Sequence, residues 1–263
     1  MRCFTLTFVM VGVTEHIRSG ARLLVALVSA ATAVSVSAFT LTLDHQRVPT
    51  TVEGVAVTLF VTGPVTIDVA DGVASVHIDG TVDLSDVQKN FASILHARTA
   101  SRRCGDIISI EDATLRSKQT GGESVAEVVA KASIRQGRCD TDGVTPITSS
   151  VTTGVLALYL KPRVDHRQLA FDLEVRPMTT AAIATLFRDP AMFRLLVTTV
   201  SGSLSSAIGP STLAAPLSRE AASYDPDVQA ASFQAFPGGA LAAHLVVVLH
   251  VPLAKFLDWH VGG

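Results

Sequence analysis

Residues 73–98, VASVHIDGTVDLSDVQKNFASILHAR, change from a strand pattern to a helix pattern within one short stretch. Up to residue 84, apolar and polar side chains alternate, which predicts a strand with one buried face. From Ser85 onward the apolar residues recur at helical spacing. Ser85 and Gln88 have the spacing of a capping box, so we predict a helix that begins at Ser85 and ends near Arg98. Its apolar positions are Val87, Phe91, Ile94 and Leu95.

Alternation also precedes this stretch. Residues 55–61 and 65–69 carry apolar side chains at every second position, and Gly63-Pro64 separates the two runs. This pattern predicts a hairpin that turns at Gly63-Pro64. Asp71-Gly72 predicts a second turn, which leads into the strand at 73–84.

Three further segments after the helix have strand character. Residues 107–115 and 125–134 predict a hairpin around Thr120-Gly121-Gly122. Residues 151–160 are apolar on both faces, which is typical of a central strand, whereas residues 169–175 alternate cleanly. We therefore predict a second group of paired strands.

Helical spacing returns after Pro177. We predict a short helix over 179–187 and a long one that begins at Asp189-Pro190, because aspartate caps helices and proline suits the first turn. Gly209-Pro210 should end the long helix. Its apolar stripe consists of Phe193, Leu196, Val197, Val200, Leu204 and Ile208.

The last part of the chain returns to strands. A third helical stretch, 212–220, is interrupted by Pro216. Residues 228–236 and 241–251 then predict a hairpin joined by Pro237-Gly238-Gly239. The order of strands, helix, strands, long helix and strands is typical of an α+β fold.

The N-terminal residues have the pattern of an export signal. Arg18 and Arg22 precede the apolar run 23–36, and Val36-Ser37-Ala38 ends it with small residues where a signal peptidase cleaves. We expect residues 1–38 to be removed, leaving a single domain over 39–263 in the periplasm or cell envelope. An uncleaved N-terminal anchor is the alternative.

Composition restricts the classes of partner. The chain has a formal net charge of −2, and removal of residues 1–38 takes away three arginines and one glutamate, so nothing attracts nucleic acid. Only 17% of the residues are charged and 5% are aromatic, while 48% are hydrophobic. So few charges indicate either an apolar surface or an interior that apolar side chains line.

Two cysteines remain after export. Cys3 lies in the segment that we expect to be removed. The apolar stretch of that segment before Arg18 separately suggests a translation start further downstream, at Met10 or Val13. In an oxidising compartment the remaining pair, Cys104 and Cys139, should form a disulfide bond.

The sequence contains no catalytic motif that we recognise, so we expect a protein that is not an enzyme and that needs no cofactor or metal. His244 and His250 are too far apart on one strand to bind one ion together. His77 with Asp79 and the pair Asp165-His166 read as a polar strand face and a solvated turn. Ser201-Gly202-Ser203 lies inside the predicted long helix, where small residues usually serve packing.

The segment from Leu204 to Val251 resembles bacterial members of the tubular lipid-binding (TULIP) superfamily. A helix that ends around residues 213–217 is followed by a closing hairpin over 227–233 and 238–245. The early strand, helix and long hairpin are similar as well. The resemblance implies a long curved antiparallel sheet wrapped around a long amphipathic helix. It also implies a bound phospholipid, sterol or other hydrophobe, without catalysis.

We therefore expect a binding protein that holds a hydrophobic ligand, an acyl lipid, between a curved sheet and its helices. A membrane surface is a second expected partner, and the sequence gives no oligomeric state. Two alternatives stay open: an envelope structural or interaction protein with a filled core, and an extracytoplasmic hydrolase. The candidate lipid-binding residues are Phe91, Ile94, Leu95, Val128, Phe171, Leu173, Phe193, Leu196, Val197, Val200, Leu204, Leu245 and Val247.

Overall fold

The computed structural model describes residues 38–99, 107–141, 146–177, 190–218, 220–224 and 226–259. The predicted export signal, the start site and the helix at 179–187 lie outside these residues. So does the predicted disulfide bond, since Cys104 is not described and only the backbone of Cys139 is.

Within the residues that the structure describes, nine strands form two antiparallel sheets. The first sheet has the order β1-β2-β3-β9-β8 and consists of β1 (Phe39–Val52), β2 (Val55–Ala70), β3 (Val73–Asp83), β9 (Leu241–Pro252) and β8 (Asp227–Ala235). The second sheet has the order β4-β5-β6-β7 and consists of β4 (Ile107–Thr120), β5 (Glu123–Cys139), β6 (Pro146–Asp165) and β7 (Gln168–Pro177).

In the described ranges, two longer helices and two short ones accompany the sheets. They are α1 (Ser85–Thr99), α2 (Pro190–Ile208), α3 (Pro210–Ala214) and α4 (Leu253–Asp258). The helix α1 contacts β2 of the first sheet and β4 of the second, while α2 contacts β1 and β7. The strand β8 contacts all four strands of the second sheet and therefore crosses it. The predicted α+β class with antiparallel sheet is confirmed.

One hydrophobic cluster joins the inner faces of both sheets to the helices. It includes the alternating side chains of β3 and β9 and the apolar faces of α1 and α2. Because strand side chains alternate between two faces, the outer faces carry most of the polar residues. The final hairpin, the hairpin of β4 and β5 and the long helix lie where the sequence pattern predicts them.

The predicted hairpin at Gly63-Pro64 is wrong, because β2 continues through it. Gly63 has a φ of 150°, and a Cβ there would lie 2.1 Å from the carbonyl oxygen of Asp79. The pairing of β2 with β3 is interrupted between the pairs Thr62–Thr81 and Val65–Ile78, and the register is the same on both sides. Glycine is needed at position 63 because the two strands approach closely there. The interruption also accommodates Pro64, which has no N–H to donate.

The predicted capping box is also wrong. The side chain of Asp83 accepts the N–H of Ser85 at 2.8 Å, and the Ser85 hydroxyl donates to the same carboxylate. The Gln88 side chain instead bonds to other elements of the fold: its Nε2 donates to the carbonyls of Leu115 and Gly239, and its Oε1 accepts the N–H of Leu241. A local carboxylate therefore takes the hydrogen bonds of Ser85, and distant partners take those of Gln88.

The strand β1 was not predicted. A bulge between Leu43 and Gln46, with His45 at a φ of 50°, shifts the phase of its buried side chains. The buried positions are consequently Leu43, Val48 and Val52, a spacing that is neither strand-like nor helical. The predicted helix at 212–220 is shorter and begins earlier, as α3, and a turn follows it.

Candidate ligand site

The structure brings most of the predicted lipid-binding residues together between the sheets. Nine of them have no exposed area, namely Phe91, Ile94, Leu95, Val128, Leu196, Val200, Leu204, Leu245 and Val247. Phe171 and Leu173 pack partly buried against the same cluster. Val197 is half-buried on α2, and the side chain of Phe193 lies outside the described part.

A cleft of about 430 Å³ lies at the C-terminal end of α2. The walls come from the start of β7, the junction of α2 and α3, and the segment that precedes β8. The lining residues are Gln168, Leu169, Ser205, Gly209, Pro210, Ser211, Ser223, Tyr224 and Pro226. None of the nine was among the predicted site residues. The break Gly209-Pro210 after a long apolar stripe is the one sequence signal that marks this place.

The cleft adjoins the hydrophobic core directly. Leu169 and Tyr224, which line it, both pack against the core cluster. The ring of Tyr224 also meets Trp259 edge-on, with 5.7 Å between ring centroids. Since Leu204 is buried one residue before Ser205 in the wall, the cleft lies over the end of the apolar stripe of α2.

The turn between β6 and β7 is fixed against β8 beside this cleft. The N–H of Val228 donates to the carbonyl oxygen of Arg167 at 2.8 Å. The Arg167 guanidinium donates to the Asp227 carboxylate, also at 2.8 Å. These contacts position Gln168 and Leu169, which follow Arg167 in the chain.

Three hydroxyl groups in the cleft have no hydrogen-bond partner within the described part of the chain. They belong to Ser205, Ser211 and Tyr224, whereas the hydroxyl of Ser223 donates to the carbonyl of Glu220. None of the lining residues that the structure describes carries a charge. The described walls therefore offer a ligand apolar surface from Leu169 and two prolines, together with neutral polar groups from the hydroxyls and the Gln168 amide.

The outer face of the first sheet carries three histidines, each beside a carboxylate. His244 Nε2 lies 2.6 Å from Asp79, and His77 Nε2 lies 3.7 Å from Asp68. Among the described residues, no group of three or more histidine, cysteine or acidic side chains could hold a metal ion.

The third histidine, His250, comes close to a serine and an aspartate. The Ser75 hydroxyl lies 3.2 Å from His250 Nδ1, and Asp227 lies 4.0 Å from His250 Nε2. The group lies on an exposed strand face rather than in a cleft, and Asp227 already accepts the Arg167 guanidinium. A hydrolase would need the carboxylate to orient the imidazole and a site that excludes water.

The outer face of the second sheet buries one carboxylate. The Glu127 side chain is 4% exposed, with Arg116 Nε at 2.5 Å and Lys118 Nζ at 2.7 Å. Burial raises the pKa of the Glu127 carboxyl, but the hydrogen bonds from Lys118 and Arg116 outweigh burial and hold the pKa below its ordinary value. Lys118 and Arg176 also lie over the Tyr159 ring. These groups satisfy one another, so the arrangement is structural.

None of the helices in the described ranges combines the length and the apolar character that crossing a bilayer requires. Comparison with known proteins found no matching family model, no matching curated protein and no matching solved structure.

Proposed function

We propose that the protein is an exported binding protein that holds an acyl lipid between its sheets and the helices α1 and α2. The proposal includes a curved, TULIP-like wrapping of sheet around α2, the disulfide bond between Cys104 and Cys139, and the absence of catalytic activity. The cleft at the end of α2 carries the proposal, because it adjoins the core that holds the predicted lipid-binding residues.

The apolar stripe of α2 supplies a path for an acyl chain. Leu204, Val200 and Leu196 lie on successive turns below the cleft and have no exposed area. At about 1.5 Å per residue, the stretch from Ser205 to Leu196 spans roughly 14 Å. An acyl chain that enters along this path replaces the contacts of these side chains with its own, so uptake requires α2 to move relative to the sheets.

A pair of matched variants tests the proposal. Ser205 lines the cleft, whereas the adjacent Ser206 is exposed and lies outside it. We expect Ser205→Trp to obstruct uptake of a fluorescent fatty acyl probe and Ser206→Trp to leave uptake unchanged, with both variants folded by circular dichroism. Mass spectrometry of organic extracts of the purified protein should identify a bound lipid. Absence of uptake by the unmodified protein would contradict the proposal.

The filled-core interaction protein is the second candidate, and one observation favours it. Leu196, Val200 and Leu204 belong to one fully buried cluster. If the interior is filled, Val200→Trp overpacks it at a cost of about 1–3 kcal/mol of unfolding free energy. If the interior takes up lipid, the probe raises the thermal midpoint of the unmodified protein, and Val200→Trp lowers both probe uptake and that gain in thermal midpoint. Severe destabilisation together with no uptake by the unmodified protein favours the filled core.

A simple assay tests the proposed absence of catalysis. His250 beside Ser75 is 58% exposed and Asp227 pairs with Arg167, so we expect no hydrolysis of a short-chain nitrophenyl ester above the rate with a Ser75→Ala variant. Hydrolysis that Ser75→Ala abolishes would instead establish the hydrolase alternative.

A further inference from the structure

We propose that the cleft at the end of α2 takes an uncharged, hydroxyl-bearing head group, as in a diacylglycerol, and discriminates against lipids that carry a phosphate. This inference rests on the proposed function and adds to it the chemical class of the polar end of the ligand.

The charge of the cleft is the first argument. Within the described part of the chain, none of the nine residues that line it is acidic or basic. An ionised phosphate that leaves water needs a cation or several strong N–H donors in compensation. Arg167 precedes Gln168 of the cleft wall, and its guanidinium already donates to Asp227 at 2.8 Å. Recruiting Arg167 to a phosphate would break that ion pair and leave the Asp227 carboxylate, among the described residues, with the more distant His250.

The partial charge at the C-terminal end of α2 is the second argument. The cleft lies at the C-terminal end of this helix, where unpaired carbonyl groups give a partial negative charge of about half an elementary charge. The Thr212 hydroxyl donates to the Ala207 carbonyl at 3.3 Å, which is how the chain itself satisfies one of these groups. A phosphate would meet repulsion here, whereas a ligand hydroxyl can donate to the helix end.

The hydroxyls of the cleft are the third argument. Those of Ser205, Ser211 and Tyr224 have no partner within the described residues, and each can both donate and accept. A glycerol hydroxyl and ester carbonyls offer the matching groups. A volume of about 430 Å³ is near the lower end of the usual range for ligand pockets, so the cleft holds a head group rather than two whole acyl chains.

Binding of two lipids with identical chains tests the inference. The probes are a diacylglycerol and a phosphatidic acid that carry the same fluorescent acyl chain, titrated with the purified protein. We expect the diacylglycerol to bind at least about tenfold more tightly, which corresponds to roughly 1.4 kcal/mol. Ser211→Lys should strengthen phosphatidic acid binding by about tenfold, because it places a cation in the cleft, while Ser206→Lys outside it should not.

The outcomes separate the two proposals. Equal or tighter binding of phosphatidic acid by the unmodified protein overturns the neutral head group and leaves the lipid-binding function standing. An equal gain from Ser211→Lys and Ser206→Lys also overturns it, because the head group then does not lie in the cleft. Binding of neither lipid overturns both proposals.

Discussion

The polar side chains that lie near the two ends of β8 differ in their hydrogen bonding. At its C-terminal end, Gln88 makes three hydrogen bonds, which join α1 to β4, to the turn at 237–239 and to the start of β9. At its N-terminal end, about 26 Å away by the usual strand rise, the hydroxyls of Ser205, Ser211 and Tyr224 have no partner within the described residues.

This difference separates structural polar groups from groups that are available to a ligand. A side chain whose hydrogen bonds are all made inside the protein contributes to stability, and its loss leaves buried partners unsatisfied. A side chain that bonds only to water in a cleft contributes little to stability and is free for recognition. Substitutions at the two ends should therefore change different measured quantities.

The largest loss of stability is expected at Gln88. Gln88→Ala leaves the N–H of Leu241 and the carbonyls of Leu115 and Gly239 without their partner, so we expect a loss of about 2–4 kcal/mol in unfolding free energy. Gln88→Glu keeps an acceptor for Leu241 but faces two carbonyl oxygens, so it should also destabilise. Urea unfolding measures both, with Lys89→Ala, exposed on the same helix, as the control. A change for Gln88→Ala no larger than for Lys89→Ala would refute this structural role.

A smaller loss is expected at Glu127, where the polar groups also satisfy one another. Glu127→Gln weakens the hydrogen bonds to Arg116 and Lys118, for an expected loss of about 1–3 kcal/mol at neutral pH. Glu123→Gln on the same strand is the control, because its side chain is 60% exposed and pairs with Lys161 at the surface.

The pKa of Glu127 determines how the difference in stability between Glu127→Gln and the unmodified protein depends on pH. The folded-state pKa is depressed, so the stabilisation is fully present above the ordinary carboxyl value of 4.5 and is lost as the pH falls through the lower folded pKa. Unfolding measured from neutral to acidic pH should therefore show Glu127→Gln and the unmodified protein converging at low pH. A constant difference over that range would contradict the assignment.

Most of the order of elements from β3 onward could be predicted from the sequence, because most of these elements are strong periodic segments, whereas β1 is not. The switch at residue 85 and the stop at Gly209-Pro210 are local signals, and the structure has both. The alternation of β3 predicted its buried side, and the stripe of α2 predicted the buried Leu196, Val200 and Leu204.

Features that depend on distant partners could not be predicted. Gly63 reads as a turn residue, but its role comes from the Asp79 carbonyl on a neighbouring strand. Gln88 reads as a cap, but its partners lie 27 to 153 residues away in the chain. The cleft likewise combines residues from three separate segments of the chain, and no local sequence pattern predicts that these segments lie together.

A coupling of about 1 kcal/mol is expected between Gly202 and Arg98. Arg98 pairs with Glu53 and donates to the carbonyl of Thr198, and a Cβ on Gly202 would lie 2.3 Å from Arg98 Nη2. Alanine favours a helix over glycine by about 1 kcal/mol, but here the guanidinium must move and weaken its contacts. Gly202→Ala alone should therefore change stability by less than about 0.5 kcal/mol.

A double-mutant cycle measures the stabilisation by Gly202→Ala that the contact with Arg98 offsets. In an Arg98→Ala background the obstruction is absent, so Gly202→Ala should stabilise the protein by about 1 kcal/mol. Thermal and urea unfolding of the four proteins measure the coupling. If Gly202→Ala changes the unfolding free energy equally in both backgrounds, the Arg98 guanidinium does not pack closely against Gly202.

The smallest change in stability is expected for a substitution in the cleft, and it contrasts directly with the expected effect of Gln88→Ala. The Ser211 hydroxyl has no partner within the described residues and the side chain is exposed, so Ser211→Ala should change unfolding free energy by less than about 0.5 kcal/mol. The same variant removes one of three neutral hydroxyls that line the cleft, so under the proposed head-group site its affinity for a fluorescent diacylglycerol should fall about two- to tenfold, as for the loss of one hydrogen bond. Gln88→Ala should do the reverse, lowering stability with little change in the affinity of the remaining folded protein. If Ser211→Ala destabilises the fold as much as Gln88→Ala does, or leaves affinity untouched, the cleft is not the ligand-binding end of the molecule.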